Sequence, residues 1–240
     1  MSALSNRIKK PAPGESQNSG TGHHLTFAGI SFPATGLRGF PGCNGWTGAR
    51  KIGRLKNKGN ALIKGKRIGL RHLVESDIEL FARAASDPAL RGEFLPTRMK
   101  SPQAVRKKWN ENGFSSDDSE TLLICDENGR VIGDVSHVRA RPYSTCRELG
   151  WSIYEPADRG VGYGGDAIAT LVDYLFVNWQ INRLECCLNP MNMASRRVAE
   201  KAGFVKEGNL KEVVFFNAEF RDLEIYGLLR SVWHARRQLA

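Results

Sequence analysis

The chain has 240 residues, enough for one large domain or two small ones, and a formal net charge of +10. Residues 1–67 carry +11, with Glu15 as their single acidic residue, and the remainder carries −1. No apolar stretch approaches the roughly twenty residues of a membrane-spanning helix, so no membrane association is expected.

The leading segment differs from the rest in composition. Residues 1–65 are rich in Gly, Pro, Ser and Asn and lack a sustained hydrophobic period, which predicts a disordered basic extension. Three interpretations stay open: a solvated extension without a role, an arm that contacts RNA or the ribosome, and an organelle transit peptide. A secretory signal is disfavoured, because the apolar run at 25–34 is short and contains Gly29 and Pro33.

The cysteines and histidines indicate the compartment. There are five cysteines, an odd number without Cys-x-x-Cys spacing: Cys43, Cys125, Cys146, Cys186 and Cys187. They predict reduced, mostly buried thiols in a cytoplasmic protein, and the scattered histidines suggest no metal site.

Hydrophobic periodicity predicts a folded part beyond the basic extension, and residues 233–240 are expected to form a short tail. The predicted strands are Ile68–Leu73, Thr121–Cys125, Val131–Val138, Glu148–Tyr154, Leu184–Leu188, Val213–Phe216 and Leu223–Leu228. The predicted helices are Asp77–Ala85 capped by Ser76, Ser101 to about Asn112, Asp166 to about Trp179, and Met193–Ala202 ended by Gly203. Strands before and between helices indicate a mixed α/β layer.

The run from Arg159 to Gly165 is the most informative stretch, with glycines at positions 160, 162, 164 and 165. Glycine lets the backbone turn sharply and approach a ligand closely. The helix start that follows leaves N–H groups unpaired and carries partial positive charge. The combination predicts a site for a phosphate or pyrophosphate, with Arg159 adding a charge-assisted contact.

Three kinds of phosphate loop share this composition. A nucleotide-triphosphate P-loop needs Lys-Ser or Lys-Thr after its last glycine, and here an Asp-Ala pair follows. The dinucleotide spacing G-x-G-x-x-G starts at Gly160, with Glu185 twenty residues after its last glycine, but too little chain follows for further βα units. The third pattern, R-x-x-G-x-G from Arg159, is that of a coenzyme A pyrophosphate loop. A glycine turn that binds nothing remains an alternative.

A second motif follows about thirty residues later. Residues Asn192 to Phe204 have the pattern N-x-x-S-x-x-V-x-x-x-x-G-F, with Ser195 in fourth place. Together with the glycine turn, this pattern resembles the Gcn5-related N-acetyltransferases (GNAT), and within them the RimJ/RimL-like group that acetylates amino termini. Further marks are the segments Arg67-Ile68-Gly69-Leu70-Arg71, Glu148-Leu149-Gly150-Trp151 and Arg221-Asp222-Leu223-Glu224-Ile225-Tyr226. The resemblance covers about residues 66 to 232.

The resemblance implies an α/β fold of the α+β kind: a strongly twisted, mostly antiparallel sheet flanked by helices, split into a V where acetyl-coenzyme A enters. The residues that it implies for this co-substrate are the backbone of Ile153, Tyr154 and Glu155, then Arg159, Gly160, Val161, Gly162, Tyr163, Gly164 and Gly165, and finally Asn192 and Ser195. One N–H of the first three is the expected oxyanion donor. Gly165 departs from the family pattern and costs helix propensity of about 1 kcal/mol, which predicts a looser helix start.

The chemistry also needs a proton acceptor and a proton for the departing thiolate. Glu148, on the strand that enters the site, is the candidate base, directly or through a water. Ser195 matches the position that helps to protonate or orient the thiolate, and Tyr154 is a further catalytic candidate. Simpler alternatives remain: a solvated charge for Glu148, a helix cap and first-turn residue for Asn192 and Ser195, packing for Tyr154, and a surface charge for Arg159.

The acceptor amine carries no recognisable signature. Neutralising an α-amine with a pKa near 7.8 at pH 7 costs about 1 kcal/mol, whereas a lysine near 10.4 costs about 4.6. A protein or peptide amino terminus is therefore the expected acceptor. A small amine such as a polyamine or antibiotic, or a non-catalytic acyl-coenzyme A-binding module, is the alternative. The protein is expected to act as a monomer or homodimer.

Overall fold

The structure is a computed structural model that describes residues 63–94, 101–216 and 218–238. The described residues form eight strands: β1 (Ile63–Lys64), β2 (Gly69–His72), β3 (Ser119–Cys125), β4 (Val131–Arg139), β5 (Arg147–Ile153), β6 (Arg183–Leu188), β7 (Val205–Phe216) and β8 (Glu219–Leu229). They also form six α-helices: α1 (Ile78–Ser86), α2 (Pro88–Arg91), α3 (Pro102–Asn112), α4 (Tyr163–Asn178), α5 (Met193–Ala202) and α6 (Arg230–Gln238). Short 3-10 turns lie at Glu75–Asp77 and Pro156–Asp158.

The strands form one mixed sheet in the order β1-β2-β3-β4-β5-β6-β8-β7. Neighbouring strands are antiparallel, except for the parallel pair of β5 and β6. A crossover between parallel strands needs a long connection, and α4 supplies it here. The expected mixed, mostly antiparallel sheet flanked by helices is confirmed.

Two hydrophobic clusters cover the two faces of the sheet. Side chains of a strand alternate between faces, so Leu122 of β3 packs in one cluster and Leu123 in the other. The larger cluster joins the sheet to α4, with Leu171 and Leu175 fully buried. The smaller cluster joins it to α1 and α3 and includes Val105. The sheet is therefore enclosed on both sides.

Local sequence signals place several helix ends where they were expected. The Ser101 hydroxyl accepts a hydrogen bond from Ala104 N at 3.1 Å and caps α3. Asn192 caps α5, and Gly203 ends it with φ of 103°. The first helix differs from expectation, because a 3-10 turn precedes it and the Ser76 side chain does not cap it.

The boundaries of the folded part also differ from expectation. Strand β1 pairs with β2 and so begins the sheet at Ile63 rather than at residue 66. Helix α6 continues to Gln238, past the expected end at residue 232, and its Trp233 is only 6% exposed. The expected disordered extension lies outside the described residues, apart from 63–65. Within the described ranges, no helix is long and apolar enough to cross a bilayer.

Candidate active site

A gap in the sheet is the starting point of the site. Strands β5 and β6 run parallel, but only two residue pairs are in register, Arg147 with Leu184 and Glu148 with Glu185. Beyond these pairs β5 continues to Ile153 without β6 beside it. Both strands end at the same edge of the sheet, which is where α/β proteins bind ligands. The V-shaped split implied by the resemblance is therefore present.

The free edge of β5 offers backbone donors to this split. Tyr154 N donates to Ile132 O of β4 at 3.0 Å, so the backbone of residue 154 faces away from the split. Successive residues of a strand point their N–H groups to opposite edges, and the N–H groups of Trp151 and Ile153 therefore face the split. Of the candidate donors at residues 153–155, Tyr154 N–H is thus used within the sheet, whereas Ile153 N–H faces the split.

The side chain of Tyr154 also differs from a catalytic group. The residue is 3% exposed, and its burial, followed by the nearby charge of Asp134, raises the pKa of the phenol well above its ordinary value. Such a phenol is a poor proton donor at neutral pH. We assign this side chain to packing, the alternative that the sequence left open. The next residue, Glu155, is exposed and precedes the 3-10 turn.

The glycine turn has the backbone geometry of an anion site. Gly160 and Gly162 have φ of 77° and 104°, which side chains with a Cβ rarely adopt. Helix α4 begins at Tyr163, three residues earlier than expected, and its first backbone hydrogen bond runs from Asp166 N to Gly162 O at 3.1 Å. The N–H groups from Val161 to Gly165 precede that bond and are left for a ligand.

The turn also lies against the split. A Cβ at Gly164 would lie 3.8 Å from Ile153 and 3.9 Å from both Trp151 and Val198. The start of α4 therefore contacts the end of β5 and helix α5 together. In contrast, a Cβ at Gly165 would meet no protein atom within 4 Å.

Arg159 has a different role from the expected phosphate contact. Its Nη2 donates to the carbonyls of Ala89, Leu90 and Tyr154 at 2.6–3.0 Å, and its Nε donates to Ile153 O at 3.0 Å. The guanidinium thus ties the end of β5 to α2. These carbonyls take the donors of Nε and Nη2, so the expected ligand contact stays a prediction for Nη1 alone.

A different arginine lies at the turn. Arg67 Nη1 donates to Val161 O at 2.7 Å, and its guanidinium carbon lies 4.8 Å from the centre of the Tyr163 ring. The Asp166 carboxylate fixes this segment by accepting from Lys66 N and Arg67 N at 3.0 and 2.7 Å. In the sequence, Arg67 appeared only as the first residue of a segment that supports the resemblance. Its contact with a turn 94 residues away had no local signal.

The second motif follows β6 directly. Asn192 Oδ1 accepts from Ser195 N at 3.0 Å, so this amide caps α5, as the simpler interpretation held. Both residues are partly exposed. Because α5 begins just beyond the carboxyl end of β6, the Ser195 side chain lies in the first turn of a helix that flanks the split.

Glu148 lies where β5 and β6 separate, and it is half-buried. Burial, followed by the charge of Glu185, raises the pKa of Glu148 above its ordinary value. A hydrogen bond with the Cys187 thiol and the charge of Arg141 act in the opposite direction. A carboxyl group with a raised pKa is a stronger base, which suits the expected role.

Two surface hollows lie on the described part of the chain. One of about 290 Å³ adjoins the split and is lined by Asn189, Pro190, Met191, Phe220, Arg221 and Asp222. The other, of about 710 Å³, lies at the opposite end of α4. There Arg230 donates to the carbonyls of Phe176, Trp179 and Ile181, so it completes a helix end far from the glycine turn.

Comparison with known proteins agrees with this geometry. Residues 67–205 match the family model of the acetyltransferase (GNAT) domain, and the chain belongs to this family of acyltransferases. A relative is the probable N-acetyltransferase YjcK of Bacillus subtilis, 36% identical over 183 residues, which cover 70% of this chain and 97% of the relative.

Two solved structures share the fold. A spermidine N-acetyltransferase from Vibrio cholerae, in complex with coenzyme A and spermine, matches with a TM-score of 0.63 at 19% identity, covering 70% of this chain and 98% of that one. RimL, a ribosomal α-N-protein acetyltransferase in complex with coenzyme A, matches with a TM-score of 0.62 at 21% identity, covering 70% and 97%. At these identities the likeness establishes the fold and leaves the acceptor open.

Proposed function

We propose that the protein is an acetyl-coenzyme A-dependent N-acetyltransferase of the RimJ/RimL-like kind, whose acceptor is the α-amine of a protein or peptide amino terminus. One observation carries this proposal: the unpaired N–H groups of the glycine turn lie against the end of β5, where the sheet splits. A ligand whose anionic group is held at the turn can therefore extend along the free edge of β5.

The residues at the split fit acetyl-coenzyme A. The N–H groups from Val161 to Gly165 suit its diphosphate, and Arg67, which is bound to Val161 O, adds positive charge beside them. The N–H groups of Trp151 and Ile153 suit the carbonyls of the pantetheine arm and the acetyl group. When bound, the co-substrate supplies an activated acyl group.

Glu148 and Ser195 serve the proton transfers. As the amine forms its new N–C bond and the C–S bond breaks, Glu148 takes the proton from nitrogen, directly or through a water. Ser195 gives its hydroxyl proton to the departing sulfur and regains one from solvent, and Ile153 N–H stabilises the oxyanion. The raised pKa of Glu148 makes it a stronger base, and the proton of an α-amine is more easily removed than that of a lysine side chain.

The hollow beside the split favours a peptide over a polycation. Met191 is 72% exposed and Phe220 is 64% exposed, so its walls offer apolar surface to an acceptor side chain. The charged residues of the same wall are already paired, Arg221 with Glu219 and Asp222 with Lys211, so the hollow offers a polyamine no unpaired carboxylate. A peptide whose first side chain is apolar therefore suits the hollow better than a polycation does.

A thiol-release assay with acetyl-coenzyme A tests the proposal. The panel compares a peptide with a free amino terminus, the same peptide blocked at the terminus but carrying lysine, and spermidine. We expect the free terminus to be preferred, with mass spectrometry locating the acetyl group there, and Glu148→Gln to lower kcat by roughly 10²- to 10⁴-fold. Thiol release with spermidine alone would reassign the acceptor. No release and no calorimetric binding of acetyl-coenzyme A would overturn the function.

A further inference from the structure

Glu185 is a buried acid that the proposed mechanism does not use. It lies in the middle of β6, inside the sheet, and is only 3% exposed. Glutamate is almost never buried to this degree unless it is paired, because removing its charge from water is costly. Its position therefore needs compensating contacts.

Two arginines supply them. Arg141, in the loop between β4 and β5, places Nη1 at 3.1 and 3.3 Å from the two carboxylate oxygens of Glu185. Arg183 places Nε at 3.3 Å, while its other two guanidinium nitrogens bind Glu207. Among the described residues, Arg141 forms an ion pair with Glu185 alone. The charge of Glu185 is thus held between two guanidinium groups.

Glu185 is the registered partner of Glu148 across the parallel pair of strands. Adjacent strands lie about 4.8 Å apart, and registered side chains share a face of the sheet. On the other side of β5, the residue paired with Glu148 is Val138, which is apolar. Among the described residues, no lysine or arginine forms an ion pair with Glu148. The charged and titratable groups that act on Glu148 are Glu185, Cys187 and Arg141, and the buried Cys186 thiol in turn experiences the charge of Glu148.

The Cys187 thiol does not compete for the proton. Its burial, followed by the charge of Glu148, raises the pKa of Cys187 to about 11, so that it stays protonated and serves as a donor. The carboxylates of Glu185 and Glu148 remain: two arginines bind Glu185, whereas Glu148 forms no hydrogen bond with an arginine of the described residues.

We infer that Glu185 and Arg141 are positioning residues of the base: the arginine-bound carboxylate of Glu185 leaves Glu148 to take the proton, and Arg141 sets the pH at which it does so. This inference rests on the proposed function, in which Glu148 accepts the proton of the amine. The repulsion between Glu185 and Glu148 and the attraction between Arg141 and Glu148 therefore shift the titration midpoint of Glu148 in opposite directions.

An NMR titration of protein labelled with ¹³C at the glutamate carboxyl groups tests the inference. The Glu148 signal is the one that Glu148→Gln removes. Glu185→Gln removes a negative neighbour and is expected to move the titration midpoint of Glu148 to lower pH. Arg141→Met removes a positive neighbour and is expected to move it to higher pH, each by on the order of one pH unit. The acidic limb of kcat/KM for a weakly basic acceptor is expected to move in the same two directions.

Arg139→Met is the matched control. It removes the same charge from a residue two positions earlier in the chain, and Arg139 pairs with Asp118. It is expected to leave the midpoint in place. Arg141→Met alone carries the test if Glu185→Gln does not fold, because the Arg141 side chain is 43% exposed. If the wild type is active but the Glu148 midpoint stays in place in both variants, or moves in the same direction in both, the inference is overturned and the proposed function is not. Wild-type protein that releases no thiol overturns the proposed function instead.

Discussion

Arg67 Nη1 donates a hydrogen bond of 2.7 Å to the carbonyl of Val161, and so joins the turn before β2 to the glycine turn before α4. The same guanidinium lies over the Tyr163 ring, and its Nη1 would lie 3.7 Å from a Cβ at Gly162. A positive charge held beside such a cluster strengthens its attraction for an anion. Arg67 therefore belongs to the co-substrate site of the proposed function, although the sequence pointed to Arg159.

Arg67→Ala is expected to raise KM for acetyl-coenzyme A roughly tenfold, because one charge-assisted contact to the diphosphate is lost. Acetyl-pantetheine lacks that diphosphate, so its KM is expected to be the same for the variant and the wild type. Steady-state kinetics with both donors measure the difference directly.

Lys66→Ala is the control for Arg67→Ala. It removes the same charge from the neighbouring residue, whose backbone N–H, rather than its side chain, contacts Asp166. Equal increases in KM for the two variants would show a general electrostatic effect, and equal increases for the two donors would place Arg67 away from the diphosphate. Either result contradicts the assignment.

Two glycines of the turn are expected to respond in opposite ways to alanine. Gly162 has φ of 104° as the cap of α4, so Gly162→Ala strains the backbone, lowers the melting temperature and raises KM for acetyl-coenzyme A. Gly165 lies inside the first turn of α4, and a Cβ there meets no protein atom within 4 Å. Gly165→Ala is expected to stabilise the fold by up to about 1 kcal/mol. Thermal denaturation of both variants checks the pair, and a stabilised Gly162→Ala would contradict it.

The sequence predicted those parts of the fold that short-range chemistry determines. Helix α5 lies between a cap at Asn192 and a positive-φ glycine at Gly203, both signals within its own segment. The hairpin of β3 and β4 likewise has its turn residues between the two strands. Strand β7 was predicted as a much shorter strand, because it is an edge strand with mostly exposed side chains and shows no alternation of apolar and polar residues.

The contacts that the sequence did not reveal have one cause. Contiguous motifs contain the glycine turn and Glu148, which both border the split. Arg159 was assigned to the ligand because its actual acceptors, at Ala89 and Leu90, are 70 and 69 residues away in the chain. Glu185 appeared only as the acid of the dinucleotide spacing, since nothing near it in sequence identified Arg141 as its partner. Arginine side chains reach far, and sequence spacing does not reveal where they end.

Glu148→Gln is expected to stabilise the protein at neutral pH while it lowers activity. The pKa of Glu148 is raised in the folded state, so the stability that its proton adds is present below the unfolded pKa of about 4.3 and is lost as pH rises through the higher folded pKa. Glutamine imitates the protonated form at every pH. The melting temperature of the variant should exceed that of the wild type at pH 7.5, with no gain at pH 4.

Glu127→Gln is a suitable control for the stability of Glu148→Gln, because Glu127 is exposed in the turn between β3 and β4. It is expected to change the melting temperature little at either pH. A Glu148→Gln variant less stable than the wild type at pH 7.5 would show that the ionised carboxylate holds the strands together instead of straining them.

The last helix is expected to be part of the fold and not a tail. Trp233 is 6% exposed in the larger hydrophobic cluster, and its Nε1 donates to Asp173 Oδ1 of α4 at 2.7 Å. Removing a buried tryptophan costs about 3–5 kcal/mol, so a chain that ends at Val232 should melt roughly 10 °C lower than the full chain. A chain that ends at Gln238 should melt with the full chain, since it keeps all of α6. Differential scanning calorimetry of the two truncations decides the boundary, and equal melting temperatures would return residues 233–238 to the tail that the sequence predicted.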